Sequence, residues 1–570
     1  MQYAVLETEE EMKKFQEYRD QILNAVKIEE QALKGAIVNK KKNKSKKSAD
    51  SKEKDKNWNQ AYNWFIDRLV YTFLNRLFAI RVMEALDLLK ESTLIPQLDL
   101  GNRSARMTKI QEKFPGKSIT EWQIMVIKDA FLELSEDIKV IFDERDIVTN
   151  IWPDGDVIAQ LIHYFNEVNP EIYKTEDFIG WFYHYYVLKI RKGHKTMSSH
   201  GSKSPANPYY LSILNTVYTP RWMIQILVDN SLGHWWQNLH PESKIFSDSS
   251  FFIQKVPIEL ELSSKELLDL KILDPACGSG NFLVYTFTKL VQMYEENYPE
   301  WDLCKIIKII LTQNLYGVDI NRRPAQLSAI ALYILAKRLI KEKALESLAT
   351  FKMPPVNIIS CDIRIPKDDK NRILFLQKFK DVKVQKVLKD LIDQFDNADQ
   401  LGSLIDIKSL QAEINKLKQD QEIKEKSKGS LDMFLPEKYL KSTHHEYSLN
   451  LVEIVDYELI DHESQNIGLQ LFGQQAKNAA SLAQVLMQKY DIITSNPPFG
   501  LSMDVTKDKL KKYYPNTYGD LISAFIDQSL RLLKLNGYIA MVSDFSFMHL
   551  PKFEKFRSNI LLRSSYIQYM

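Results

Sequence analysis

Two short stretches hold the groups most able to do chemistry. Asp491-Ile-Ile-Thr-Ser-Asn-Pro-Pro-Phe-Gly500 sets an amide, two prolines and an aromatic ring at the end of an apolar run. Asp274-Pro-Ala-Cys-Gly-Ser-Gly-Asn-Phe282 sets a glycine turn at the end of another. The Asn496 side-chain carbonyl is a hydrogen-bond acceptor. Pro497 and Pro498 stiffen the loop and, lacking an N–H, leave the Pro497 carbonyl free to accept as well. Phe499 adds an aromatic face. Such a set accepts the two hydrogens of an aromatic amine. Gly278 and Gly280 let the chain turn sharply from strand to helix and let a ligand approach the backbone. An ordinary strand-to-helix turn is the plain alternative, but Asp274, Ala276 and the two glycines together make a more restrictive pattern than a lone Gly-x-Gly.

Two further carboxylates stand at the ends of apolar runs. Asp319, in Tyr-Gly-Val-Asp-Ile, is placed to accept from the two hydroxyls of a ribose, unless it is a solvated strand end or a helix cap. Asp362, after Ile-Ile-Ser-Cys, is placed to accept from an adenine amine, with a turn or cap as the rival reading. Asp520 opens a helix and is balanced between lining the pocket and capping that helix.

In this order, the glycine turn and the Asn-Pro-Pro-Phe loop resemble the cofactor loop and catalytic loop of gamma-class S-adenosylmethionine-dependent methyltransferases that modify adenine N6 in DNA. The resemblance implies that the glycine loop holds the methionine part of the cofactor. Tyr218 and Thr219, in Val-Tyr-Thr-Pro-Arg, would touch it too, although Thr before Pro is also a good helix start. Adenine N6 is a poor nucleophile because its lone pair is delocalised. The Asn496 and Pro497 carbonyls would draw the nitrogen towards tetrahedral geometry, and Phe499 would stack on a base taken out of the duplex. Transfer would be a direct displacement achieved by orientation, with no metal and no covalent enzyme intermediate.

Four other stretches are similar to the methyltransferases of BREX phage-defence systems and to type IIG restriction-modification enzymes: Asn75–Arg81, Ile179–Tyr186, Asn230–Gly233 and Leu391–Ile405. Phe499 stands where that family often has Tyr. Nuclease signatures seen in type IIG enzymes are not recognisable: Glu11-Met-Lys13 has no Pro-Asp before it, and Pro153-Asp154 has no acidic-x-Lys triplet soon after. The resemblance implies double-stranded DNA as substrate, a target-recognition part or partner chain beyond the catalytic sheet, and other phage-defence proteins as companions. Alternatives are a non-catalytic cofactor-binding scaffold or sensor, a cytosine-N4 enzyme, and a protein-glutamine methyltransferase.

The elements that must position these loops are legible as a change of pattern. Residues 1–57 read as a helix and a Lys-rich disordered linker, with nine lysines in Asn39–Asn57. Residues 58–210 read as an all-helical domain. From 211 to 366 short apolar runs alternate with helices, the mark of a parallel α/β sheet. Residues 367–485 read as a helical insertion forming its own lobe, and 486–570 as the second, catalytic part of a Rossmann-like methyltransferase sheet. The predicted strands are Leu270–Leu273, Leu315–Ile320, Val356–Cys361, Asp491–Ser495 and Tyr538–Ser543, with Ser564–Met570 as a sixth. A seventh strand is expected to be missing, which would leave an apolar edge for a partner to complete.

Composition is that of an ordinary globular chain: 570 residues, 45% hydrophobic, 26% charged, net charge +2. A nucleic-acid surface must therefore be a local patch. Three cysteines without CxxC spacing argue against zinc and disulfides and fit a reducing cytoplasm. The aromatic run Phe178–Ile190 is too short to span a bilayer.

Overall fold

The computed structural model describes residues 49–142, 152–175, 178–184, 187–188, 218–253, 262, 264–363 except 349, 369–379, 381–395, 398–416, 452, 455, 467–499 and 504–561. The expected N-terminal helix, the first part of the Lys-rich segment and the expected strand Ser564–Met570 lie outside the described residues.

Five strands form one parallel sheet: β1 Ile272–Asp274, β2 Leu315–Asp319, β3 Asn357–Ser360, β4 Tyr490–Ser495 and β5 Leu533–Met541. Their order is β3-β2-β1-β4-β5. The chain therefore runs outward in one direction from β1 and resumes on the other side of it with β4. That reversal opens a crevice at the carboxyl ends of β1 and β4, where ligands of open α/β sheets bind. Alternate residues feed opposite faces: Ile272, Leu315 and Ile492 belong to one core, Leu273, Tyr316 and Ile493 to the other. A parallel sheet is buried on both faces, and every residue of β1, β2 and β4 is buried.

Every strand differs from the sequence expectation by at least one residue at one end or both, and β1 and β5 differ most. β1 extends to Asp274 rather than stopping at Leu273. β5 begins at Leu533 because the Asn-Gly turn signal is absorbed into an irregular pairing between Tyr490↔Leu533 and Ile492↔Tyr538. Asn536 has φ +58°, and a Cβ on Gly537 would lie 2.7 Å from the Asp491 carbonyl oxygen. Among the described strands β5 is an edge, and its residues are mostly half-buried.

Between residues 49 and 188 the described elements are helices, apart from an isolated antiparallel bridge joining Gln97 and Arg103. The long helix α1 spans Ala49–Ala85, so the second half of the segment expected to be a linker is helical. Lys, Glu and Ala tolerate helix well, and elongating a helix already nucleated is easy. From Ile66 onward α1 enters a core with α2 (Ile119–Asp137). Three helices of the sheet domain cover its first face: α3 Arg221–Asp229, α4 Asn281–Asn297 and α5 Arg322–Lys343. α5 is buried nearly all round between Arg323 and Ile340, as a helix packed on more than one side must be. Leu332 and Ala336 join the sheet core, whereas Leu327, Ile330 and Tyr333 join the α1 core. Asn75 Nδ2 donates to Gln326 Oε1 at 3.0 Å across that junction, which gives the Asn75–Arg81 stretch a packing role.

The second face is covered by α6 (Val382–Gln394), α7 (Ile467–Met487) and α8 (Leu521–Leu532). The described residues of 367–485 thus pack on the sheet itself, where a lobe of their own was expected. Val387, Leu388 and Leu391 make an apolar stripe on α6, and Ala476, Ala480 and Ala483 let α7 lie close to the strands. Each fully buried Leu or Phe of such a face contributes ~1.5–3 kcal/mol. Stripping these helices would uncover half of the sheet. Among the described residues no helix is long and apolar enough to cross a membrane.

Candidate active site

The glycine turn is built from both ends. Asp274 closes β1, and its Oδ1 accepts from the Ala276 N–H at 3.1 Å. The Cys277 N–H donates to the Val318 carbonyl at 2.9 Å, which pins the turn to β2. Gly278 has φ +54° and its N–H donates to Asp319 Oδ2 at 3.0 Å. Gly280 has φ +91°, and a Cβ there would lie 2.5 Å from Ser328 Oγ on α5. A Cβ on Gly278 would meet nothing within 4 Å. Gly280 is thus needed for packing, whereas Gly278 faces open space.

Asp319 is neither solvated nor a plain cap. It is 9% exposed, and its Oδ1 accepts from the Asn321 N–H at 2.8 Å. Two of the roughly four acceptor positions of a carboxylate are then taken, and the others remain for a ligand. Burial pushes its pKa up to about 6, against the pull of the Asn321 and Gly278 N–H groups. Asp362 lies half-buried just past β3, two residues beyond Ser360, which pairs with Asp319; its N–H donates to Ser360 Oγ at 3.1 Å.

The catalytic-loop residues follow β4. Ser495 Oγ donates to Asp274 Oδ1 at 2.7 Å, tying the residue before Asn496 to the start of the glycine turn. Asp274 Oδ2 is buried and has no partner among the described residues. Burial drives the Asp274 pKa up to about 7; the Ser495 and Ala276 hydrogen bonds oppose this, and Asp319 adds to it. Asn496 Nδ2 donates to Thr219 Oγ1 at 3.0 Å. With the nitrogen held there, Asn496 Oδ1 is buried with no donor among the described residues. Pro497 is buried, and Phe499 is half-buried against Ile522, Ile526 and Phe547. Burial pushes the Cys277 and Cys361 thiols well up, so neither is poised as a thiolate.

The structure separates Tyr218 and Thr219 from the helix start that follows them. α3 begins at Arg221 behind Pro220, with no side-chain cap, so the Thr219 hydroxyl is used on Asn496 instead. Tyr218 Oη accepts from Trp181 Nε1 at 2.9 Å. Asp520, by contrast, is the α8 cap: its Oδ2 accepts from the Ser523 N–H at 3.0 Å and from Ser523 Oγ at 2.8 Å.

Four residues near the site had no role in the sequence reading. Ser495 lay inside the catalytic stretch itself. Ser403 Oγ donates to the Pro275 carbonyl at 2.9 Å, and Gln528 Nε2 donates to the Ser403 carbonyl at 3.2 Å, which anchors the 401–405 segment on the glycine turn. Trp181 and Ser403 fall within Ile179–Tyr186 and Leu391–Ile405, where family likeness was the available signal.

Residues 313–570 match the family described as Eco57I restriction-modification methylase, and residues 225–365 match the MmeI DNA-methyltransferase domain. Between them the two matches take in the whole sheet and both loops, so residues 225–570 are similar to DNA-methyltransferase domains of the Eco57I and MmeI kind. Over 561 residues it is 24% identical to the adenine-specific methyltransferase BrxX of Escherichia coli O9:H4 (strain HS), covering 89% of this chain. Over 565 residues it is 24% identical to the adenine-specific methyltransferase PglX of Lacticaseibacillus casei (strain Zhang), again covering 89% of this chain. The chain spans 42% of the length of each relative. A solved DrdV–DNA complex matches 85% of this chain and 36% of its own at 12% identity, with a TM-score of 0.28, too low for the superposition to carry weight.

Proposed function

We propose that this chain binds S-adenosylmethionine and methylates the exocyclic N6 of adenine in DNA, as the marking reaction of a phage-defence or restriction-modification system. The observation that carries the reading is Asn496 Oδ1: a buried acceptor without a partner among the described residues, at the switch-point crevice beside a glycine turn. A buried unsatisfied acceptor costs roughly 1–3 kcal/mol, which a ligand donor would recover. Asp319, Asp362 and the open backbone at Gly278 would hold the cofactor's nucleoside and methionine parts, with Tyr218, Thr219, Asp274 and Ala276 around them. The residues fit the group: acidic acceptors, an uncovered glycine and a carboxylate oxygen with no donor all face the same strand ends. When bound, S-adenosylmethionine supplies an electrophilic methyl on a positively charged sulfur, and the Asp319 carboxylate makes the crevice favourable for a cation.

The chain's own part is orientation. Thr219 holds the Asn496 amide so that its oxygen faces the incoming amine, and the Pro497 carbonyl accepts the second hydrogen. Phe499 stacks on the extracted base. Drawing both N–H hydrogens to acceptors localises the nitrogen lone pair, and placing that nitrogen in line with the methyl removes most of the entropic barrier.

The test is transfer of a deuterated methyl group to duplex DNA, followed by digestion and mass spectrometry of the nucleosides. Label on N6-methyl-2′-deoxyadenosine supports the reading. Label on cytosine N4 or on protein overturns the choice of substrate, and tight cofactor binding with no transfer by this chain favours a scaffold or sensor role.

A further inference from the structure

The helical stretch 178–184 has two sides that serve different parts of the molecule. One is fixed in the N-terminal helical core: the Phe78 and Phe182 rings stack at 4.3 Å, and Phe178 lies 5.5 Å from Phe78. The other reaches the candidate site. Trp181 Nε1 donates to Tyr218 Oη at 2.9 Å, and the His184 ring lies 5.6 Å from that of Tyr218. At Gly180 a Cβ would lie 2.8 Å from Asn281 Oδ1 and 3.2 Å from Tyr218 Cε2. Asn281 follows Gly280 and opens α4, while Tyr218 precedes Thr219, the hydroxyl that orients Asn496. A single turn of helix from outside the sheet domain therefore touches the residues flanking the glycine turn and the catalytic amide together.

We propose that Gly180 and Trp181 are positioning residues for cofactor binding, and that the N-terminal helical region is an integral wall of the cofactor site. This rests on the reading of the crevice as the S-adenosylmethionine site. Gly180 permits the close approach, and Trp181 sets the Tyr218 ring and, through the next residue, Thr219. Neither residue needs to touch the cofactor to act. The arrangement also explains why the stretch departs from an ordinary amphipathic helix: it needs a glycine and a donor-bearing ring on the side facing Tyr218, where a plain helix would carry leucine or lysine.

The experiment is calorimetric titration of S-adenosylmethionine into the chain and its variants at 20 °C, well below unfolding, with thermal midpoints measured alongside. Trp181→Phe keeps the ring and removes the donor; the expected cofactor Kd rises by about 3- to 10-fold. Tyr218→Phe should weaken binding comparably, and Trp181→Phe/Tyr218→Phe should add little to either alone, since all three remove the same hydrogen bond. Gly180→Ala should weaken binding by about 10-fold or more, because the Tyr218 ring or the Asn281 side chain must move. Variants with lowered thermal midpoints but wild-type Kd, or additive losses in the double variant, would overturn the positioning role and leave the site assignment standing. No binding by the wild type would instead remove the site assignment, and this proposal with it.

Discussion

The two loops at the switch point are finished to different degrees. The glycine turn is tied from several sides, although Asp274 Oδ2 keeps no donor among the described residues: Asp319 accepts from Gly278 and Asn321, Asp274 Oδ1 accepts from Ala276 and Ser495, and Ser403 binds the Pro275 carbonyl. The Asn-Pro-Pro-Phe loop is tied by Asn496 Nδ2 on Thr219 and by the packing of Phe499, and it leaves the catalytic-side acceptor Asn496 Oδ1 without a donor among the described residues. One loop is a preorganised cradle, while the other stores unused hydrogen-bonding capacity for a second molecule. The difference teaches that the two functions should fail separately, and mutations can make that separation sharper or abolish it.

The largest effect is expected on the catalytic side. Asn496→Ala should lower methyl transfer by about 10³-fold, the scale seen when a donor or acceptor aimed at a transition state is removed. Single-turnover transfer at saturating cofactor measures it. On the cradle side, the two glycines should differ. Gly280→Ala should cost roughly 2–4 kcal/mol of stability, since a positive φ and the Ser328 overlap act together. Gly278→Ala carries only the conformational cost of ~1 kcal/mol but puts a methyl group into the open space, so it should chiefly weaken cofactor binding. Chemical denaturation and calorimetry, run on both variants, would break the comparison if they lost stability equally.

The pH dependence tests the buried tie between the loops. Burial raises the folded Asp274 pKa to about 7, against about 3.9 in an unfolded chain. Folding favours the neutral carboxyl, so its stabilising contribution is full below pH ~4, declines between ~4 and ~7 and is lost above that window. Asp274→Asn stays neutral throughout. In the ligand-free protein it should flatten the decline by roughly 2–4 kcal/mol, read from urea unfolding at pH 5 and pH 7.5. The smallest effect is expected at Phe499. Phe499→Ala should slow transfer by about 10-fold through lost stacking, and Phe499→Tyr should restore it to within about 3-fold, in steady-state assays with DNA.

Both loops and all five strands were legible in the sequence because each is a local pattern, an apolar run ending in residues with special backbone or acceptor properties. What joins them was not. Asn496 meets Thr219 across 277 residues, and Ser403 meets Pro275 across 128, and neither contact leaves a local trace. The 367–485 segment looked like a lobe because its length is abnormal for a connection, yet its apolar stripe is the missing cover of the sheet's second face. Thr-Pro also fitted a helix start, the rival to the cofactor contact expected of Thr219, but α3 has no side-chain cap and the hydroxyl is directed at the amide. Charge density in Ala49–Asn57 signalled disorder, whereas continuity with the following helix prevailed.

The most direct test of the two-loop account is S-adenosylmethionine calorimetry on wild type, Asp319→Ala and Asn496→Ala side by side. The account predicts that wild type binds, that Asp319→Ala loses at least about tenfold through its buried acceptor, and that Asn496→Ala binds like wild type. A wild type that fails to bind, or an Asn496→Ala variant that loses as much as Asp319→Ala, would contradict it.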